Sequence, residues 1–71
     1  MKAIITLKDG RIFSGTLESV YGNRICVEIE KLSYDEVVAM QEENLVVHQL
    51  IDKTWFVIAY FNHIEGFDLV N

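Results

Sequence analysis

His48, His63 and Cys26 are the side chains of this 71-residue sequence suited to general-base or nucleophilic chemistry. A working nucleophile needs a base within hydrogen-bond reach and a third group to orient that base. No such motif surrounds either histidine. His48 lies in the apolar run of residues 45–51, and His63 in the turn-like Asn62-His63-Ile64-Glu65-Gly66. They read as a packed strand histidine and a loop histidine, and Cys26 as a small buried hydrophobe. Metal-ligand spacing is absent: there is no His-x-x-x-His or Cys-x-x-Cys, and Asp35-Glu36 with Glu42-Glu43 lacks the glycine-centred loop of a calcium site. Gly10, Gly15, Gly22 and Gly66 are scattered, so no phosphate-cradling loop forms. The expectation is a protein that acts by binding, not an enzyme, with no cofactor and no metal.

Charge is the more informative chemistry. Glu28, Glu30, Asp35, Glu36, Glu42 and Glu43 face only Lys31 within residues 28–43, six acids against one base, a local balance of −5 equal to that of the whole chain. Such a patch repels phosphate backbones, whose binding depends on Lys and Arg displacing counterions. It suits a basic surface on a partner protein, speeding encounter and setting orientation. Solvated carboxylates kept for solubility are the plainer alternative.

The elements that must carry these groups follow from periodicity. Residues 2–8 alternate, with Ala3, Ile5 and Leu7 on one face. Asp9-Gly10 then predicts a two-residue hairpin turn with positive φ at both central positions. Residues 11–20 set Phe13, Gly15 and Leu17 on one face, with Gly15 at the sharp bend of a small barrel. After a turn at Tyr21-Gly22-Asn23, residues 24–30 place Ile25, Val27 and Ile29 inward and Arg24, Cys26, Glu28 and Glu30 outward. Ser33-Tyr34-Asp35-Glu36 fits a capping box and Leu32 with Val37 a hydrophobic staple, predicting a helix near 34–43, against a competing strand over 36–40. Residues 45–51 read as a strand. The uncharged run 55–61 reads as a central or subunit-interface strand, and residues 66–70 as a short final one.

The stretch ITLKDGRIFSGTLESVYGNRICVEI resembles the first half of an Sm-like small barrel in the order of its apolar strand, Asp9-Gly10, Phe13, Gly15-x-Leu17 and second apolar strand. The resemblance implies a mainly β fold, a five-strand SH3-like or Sm-like barrel built as a meander, while the length of the chain admits a single domain, residues 1–71. Sm-like proteins form rings that bind single-stranded RNA. The family's RNA-contacting loop carries an Asp two residues before a bulky residue and an Asn, where this chain has Tyr21, Arg24 and Ile25. An RNA-binding role would require Lys2, Lys8, Arg11 and Arg24 to cluster.

Trp55, Phe56, Tyr60 and Phe61 supply anchors for self-association or for a ligand between subunits. Alternation sends Trp55, Val57, Ala59 and Phe61 one way and Phe56, Ile58 and Tyr60 the other, so that one set fills the core and the other meets a second copy. Self-association also answers an energetic shortage. Burying roughly 4,400 Å² of apolar surface contributes about 110 kcal/mol, against about 107 kcal/mol for ordering a chain this short. No apolar run is long enough to span a membrane, and the first ten residues do not form a secretion signal, so a cytoplasmic location is expected. The functional expectation is an acidic adaptor or inhibitor docking on a basic protein surface, compositionally like phage inhibitors of nucleic-acid enzymes. The alternatives are an oligomeric small-ligand or nucleotide binder and an Sm-like RNA binder.

Overall fold

Strict alternation in the first strand leaves Ala3, Ile5 and Leu7 almost wholly buried and turns Ile4 and Thr6 toward the other face. In the computed structural model, which describes all 71 residues, that strand is β1 (Lys2–Leu7). It is followed by β2 (Ile12–Tyr21), β3 (Arg24–Ile29), α1 (Tyr34–Glu42), β4 (Val46–Gln49), β5 (Trp55–Tyr60), a 3₁₀ turn over Phe61–His63, and β6 (Ile64–Val70). All pairings are antiparallel in one sheet of order β4-β5-β3-β2-β1-β6. There are thus six strands, where the barrel resemblance implies five. The C-terminal run is a full seven-residue strand because its backbone pairs along the whole of β1. The order is linear, with β4 and β6 as its two edges.

The core is a cluster of thirteen apolar side chains, two of which, Ala39 and Met40 of α1, close it over. The capping box forms as expected. Glu36 N–H donates to Ser33 Oγ at 3.1 Å, and Ser33 N–H donates to Glu36 Oε1 at 3.2 Å. The helix stops at Asn44, which takes the left-handed conformation at φ 63°. Leu45 N–H then donates to the Met40 carbonyl at 3.0 Å and Asn44 N–H to the Gln41 carbonyl at 3.1 Å, a Schellman ending with buried Leu45 beside buried Met40.

The Asp9-Gly10 turn differs from the sequence expectation. Gly10 has φ 93°, whereas Asp9 is not in the left-handed region. Leu7 N–H donates to the Arg11 carbonyl at 2.8 Å and Gly10 N–H to the Leu7 carbonyl at 3.0 Å, closing a three-residue loop with one left-handed position. Arg11 N–H donates to Asp9 Oδ1 at 3.0 Å, and the same two side chains form an ion pair, which favours this loop over the shorter one.

Residues 50–54 repeat the design. Leu50 N–H donates to the Thr54 carbonyl at 2.7 Å, Lys53 N–H to the Leu50 carbonyl at 3.0 Å, and Thr54 N–H to Asp52 Oδ1 at 3.0 Å. Here the left-handed position holds Lys53, at φ 69°. A side chain there costs about 1–2 kcal/mol, partly offset by the entropy a glycine loses on folding, about 0.5–1 kcal/mol. Lys53→Gly is therefore expected to stabilise the chain by about 0.5–1 kcal/mol, a rise of roughly 3–6 °C in Tm. A lowered Tm would show that the Lys53 side chain makes a stabilising contact outweighing the strain.

Candidate functional site

The outward face of the sheet is built by register. One row across it reads Val46, Ile58, Cys26 and Ser19; the next His48, Phe56, Glu28 and Thr16; and on the other side of the first lie Tyr60, Arg24 and Tyr21. The expected split of the aromatic run holds. Val57 and Ala59 are buried in the core with Trp55 and Phe61 packed against them, while Phe56, Ile58 and Tyr60 are half-buried on the outer face. β5 is paired on both edges, by β3 and β4. Trp55, Phe56, Tyr60 and Phe61 thus do not form one surface: Phe56 and Tyr60 face outward, and Trp55 and Phe61 inward. Phe61 stacks on Phe67 of β6 with ring centroids 5.0 Å apart.

The six acids fall into three places. Glu28 and Glu30 sit at and just beyond the end of β3. Asp35 and Glu36 occupy the first turn of α1, and Glu42 and Glu43 its last turn and C-cap. Glu36 accepts the hydrogen bond that caps the helix. None is in a salt bridge, the single ion pair of the chain being Arg11 with Asp9. Glu30 lines two open grooves of about 600 and 680 Å³. It shares the first with Glu28 and Lys2 and the second with Asp52 and Lys53. Arg11 feels the charges of Glu42 and Glu43, which places the helix C-terminus near the β1–β2 turn.

Two acids escaped the sequence reading. Glu18 lies at a bulge in β2, where pairing with β3 shifts between Leu17 and Ser19. The extra residue brings the Glu18 carboxyl against Glu28 and near the Cys26 thiol. An unbroken β2 would have carried the register of Leu17 with Val27 on to Glu18 opposite Cys26 and Ser19 opposite Ile25, turning the Ser19 hydroxyl into the core and Val20 outward beside Arg24. The available signal was the odd spacing of Leu17 and Val20, whose partners Val27 and Ile25 both face inward. The second acid, Asp52, acts on Glu28 through space from the β4–β5 turn.

The hydrogen bond shared with Glu18 pushes the Glu28 carboxyl above its ordinary value, with burial and then the Glu18 and Asp52 charges acting in the same direction. The folded state thus holds this proton to higher pH than the unfolded chain. Its contribution to stability is complete below the ordinary glutamate value of 4.5 and is lost as pH rises through the raised one. Asp9 and Asp52 have the opposite sign. Hydrogen bonds from Arg11 and from Thr54 lower them, so their contribution holds above 3.8 and is lost as pH falls through the lowered values. Stability should peak between these ranges, and Glu28→Gln should flatten the decline on the alkaline side. Thermal melts from about pH 3 to about pH 7 read this, and an unchanged slope in Glu28→Gln would remove the Glu18–Glu28 coupling as its cause.

Cys26 is buried on the outer face, where burial first and the Glu18 charge second push its thiol up, away from the reactive thiolate. His48 is exposed on edge strand β4, and His63 stands in the 3₁₀ turn with its ring 6.4 Å from that of Tyr60. No group of three or more His, Cys, Asp or Glu side chains is arranged to hold a metal ion. Lys8 and Arg11 flank the β1–β2 turn, Lys2 is level with Thr16, and Arg24 is level with Tyr21, so the four cations are spread along the length of β2. No protein family, curated protein or solved structure matches this chain.

Proposed function

We propose that this protein is a non-enzymatic, self-associating binding module whose acidic surface docks on a basic surface of a partner protein, as an adaptor or inhibitor. The observation that carries the reading is that its carboxylates stand where they burden the fold. Glu42 and Glu43 occupy the negative end of α1, with no basic residue in the last turn to offset them. Glu18 and Glu28 lie side by side on neighbouring strands, where like charges repel. Acids kept for solubility alone have cheaper positions, whereas a docking surface must hold them where the partner's cations fall. We further propose that β1, β2, β3, β5 and β6 curl as an SH3-like or Sm-like small barrel, with Gly15 at the bend and α1 with β4 as an excursion between β3 and β5.

The test is affinity capture from the source cell with the wild-type chain and with a variant carrying Glu28→Gln, Glu30→Gln, Asp35→Asn, Glu42→Gln and Glu43→Gln. Glu36 is left in place because it caps the helix. A basic partner should be held by the wild type, released as salt rises from about 50 to about 500 mM, and not captured by the variant. A partner that both proteins hold equally at high salt would overturn the reading. A second reading, a small-ligand binder, is favoured by a groove of about 260 Å³ on the outer face, lined by Ser19, Tyr21, Arg24, Cys26, Phe56 and Ile58. Binding there should hardly respond to salt.

A further inference from the structure

The outer face of β3 carries Arg24, Cys26 and Glu28 in succession, a cation and an anion placed symmetrically about a buried neutral centre. Neither charge is in a salt bridge within this chain. Arg24 lies over the Tyr21 ring at 5.4 Å, while Glu28 lies against Glu18 with Asp52 nearby, and the cation on its row, Lys2, stands two strands away across Thr16. Around them Phe56, Ile58 and Tyr60 remain half-buried, and Val46 is 37% exposed. Arginine beside tyrosine and phenylalanine is the composition that anchors protein interfaces.

A two-fold axis above Cys26, parallel to the sheet and perpendicular to β3, makes this face complementary to itself. The operation keeps each strand over its own copy and reverses positions along it. Arg24 of one copy then lies over Glu28 and Glu18 of the other, Phe56 over Tyr60, and Ile58 and Cys26 over their own counterparts. We infer that this face is the self-association surface: a second copy packs on it sheet to sheet about the Cys26 axis, held by two symmetric contacts of Arg24 with the Glu18–Glu28 pair. This rests on the self-association part of the proposed function and not on docking to a basic partner. A two-fold interface requires one patch to match itself, and a charge pattern that inverts about its centre does so.

Four strands about 4.8 Å apart and three rows about 6.8 Å apart give a compact footprint, on the order of 400 Å² per copy with side-chain reach, at the weak end of specific interfaces. Sedimentation from about 10 µM to about 1 mM should therefore show a concentration-dependent monomer–dimer equilibrium. Arg24→Glu alone sets acid over acid, and Glu28→Arg alone sets base over base, so each should weaken the dimer at least about tenfold. Mixing the two variants should restore dimerisation, because the copy carrying Arg24→Glu presents acids at both ends of the patch and the copy carrying Glu28→Arg presents bases at both. Circular dichroism of each variant checks the fold, and the mixed sample reports on folded protein only. A wild-type chain that stays monomeric at the highest concentration would sink self-association itself. A dimer indifferent to both variants would sink this geometry and move the contact to another surface, such as the β6 edge. Neither result bears on docking through the acids of α1 and its C-cap, Asp35, Glu36, Glu42 and Glu43, which lie outside this face.

Discussion

Replacing Gly15 by alanine is expected to destabilise the domain by about 3 kcal/mol or more, which for a small single domain approaches loss of folding. A Cβ at this position would sit 2.6 Å from the Glu28 carbonyl oxygen and 2.8 Å from Ile29 Cγ1. Real Cβ atoms do not approach that closely, so one partner must move. The isoleucine methylene can turn, although it is packed in the core. The carbonyl belongs to a strand paired on both sides, Glu28 lying opposite Thr16 and opposite Phe56. Moving it breaks ladder hydrogen bonds at the centre of the sheet. Gly66→Ala is the control. Nothing lies within 4 Å of a Cβ there, and the backbone is not left-handed. Alanine at that strand position should be neutral or stabilising by up to about 1 kcal/mol. Urea melts of the two variants decide the matter: equal midpoints would mean that β2 and β3 are not so closely apposed at Gly15.

That contact also marks how far the sequence could be read. The alternation of Ala3, Ile5 and Leu7 and of Ile25, Val27 and Ile29 is fixed by which side chains must leave water, and those six residues form the centre of the core. The capping box was legible because Ser33 and Glu36 act through local hydrogen bonds. What remained hidden was set by partners distant in sequence. β4 and β5 flank an excursion through α1, and no local signal says that Trp55–Tyr60 returns to pair with Arg24–Ile29. The β2 bulge depends on satisfying two strands at once. Alternation sends Glu18 outward with Thr16, yet only the pairing of β2 with β3 sets it beside Glu28, and without that pairing the acidic surface could not be drawn in full.

The turns show the same limit on a smaller scale. Asp-Gly signals a hairpin, yet whether two or three residues close it depends on register with the next strand, here Thr6 against Ile12. The loop at residues 50–54 has the same hydrogen bonds without a glycine, because the Asp52 side chain bridging to Thr54 supplies local order that tolerates a left-handed lysine. Asp9-Gly10 announces a left-handed position as well as a turn, whereas Asp52-Lys53-Thr54 announces only the turn. The aromatic run is the reverse case. Its lack of alternation predicted burial on both faces, and β5 is paired on both edges with its outer side chains still half-buried. That residual exposure is a property of the single chain, and a second copy would remove it.

Met40→Ala is expected to cost about 2–5 kcal/mol, whereas Met40→Leu should cost less than about 1.5 kcal/mol. Met40 is fully buried, and its carbonyl receives the Leu45 and Glu43 N–H groups that end the helix. Those backbone bonds survive truncation of the side chain, so the loss is one of packing. Only Ala39 and Met40 of α1 are fully buried, with Val37 and Val38 half-covered. The helix is thus fastened to the sheet chiefly through Met40, and four of the six candidate docking acids ride on α1 or its C-cap. Truncation should loosen α1 before the sheet. Hydrogen exchange should speed first at residues 37–43, ahead of β1 and β3. If α1 and β3 lose protection together, helix and sheet unfold as one unit and Met40 belongs to the common core. If α1 opens alone, Met40→Ala leaves the acids in the chain but no longer fixed in space, and docking that depends on their arrangement weakens while net charge stays at −5. Binding that survives with α1 loosened would show that the partner senses total charge and not the pattern held by the fold.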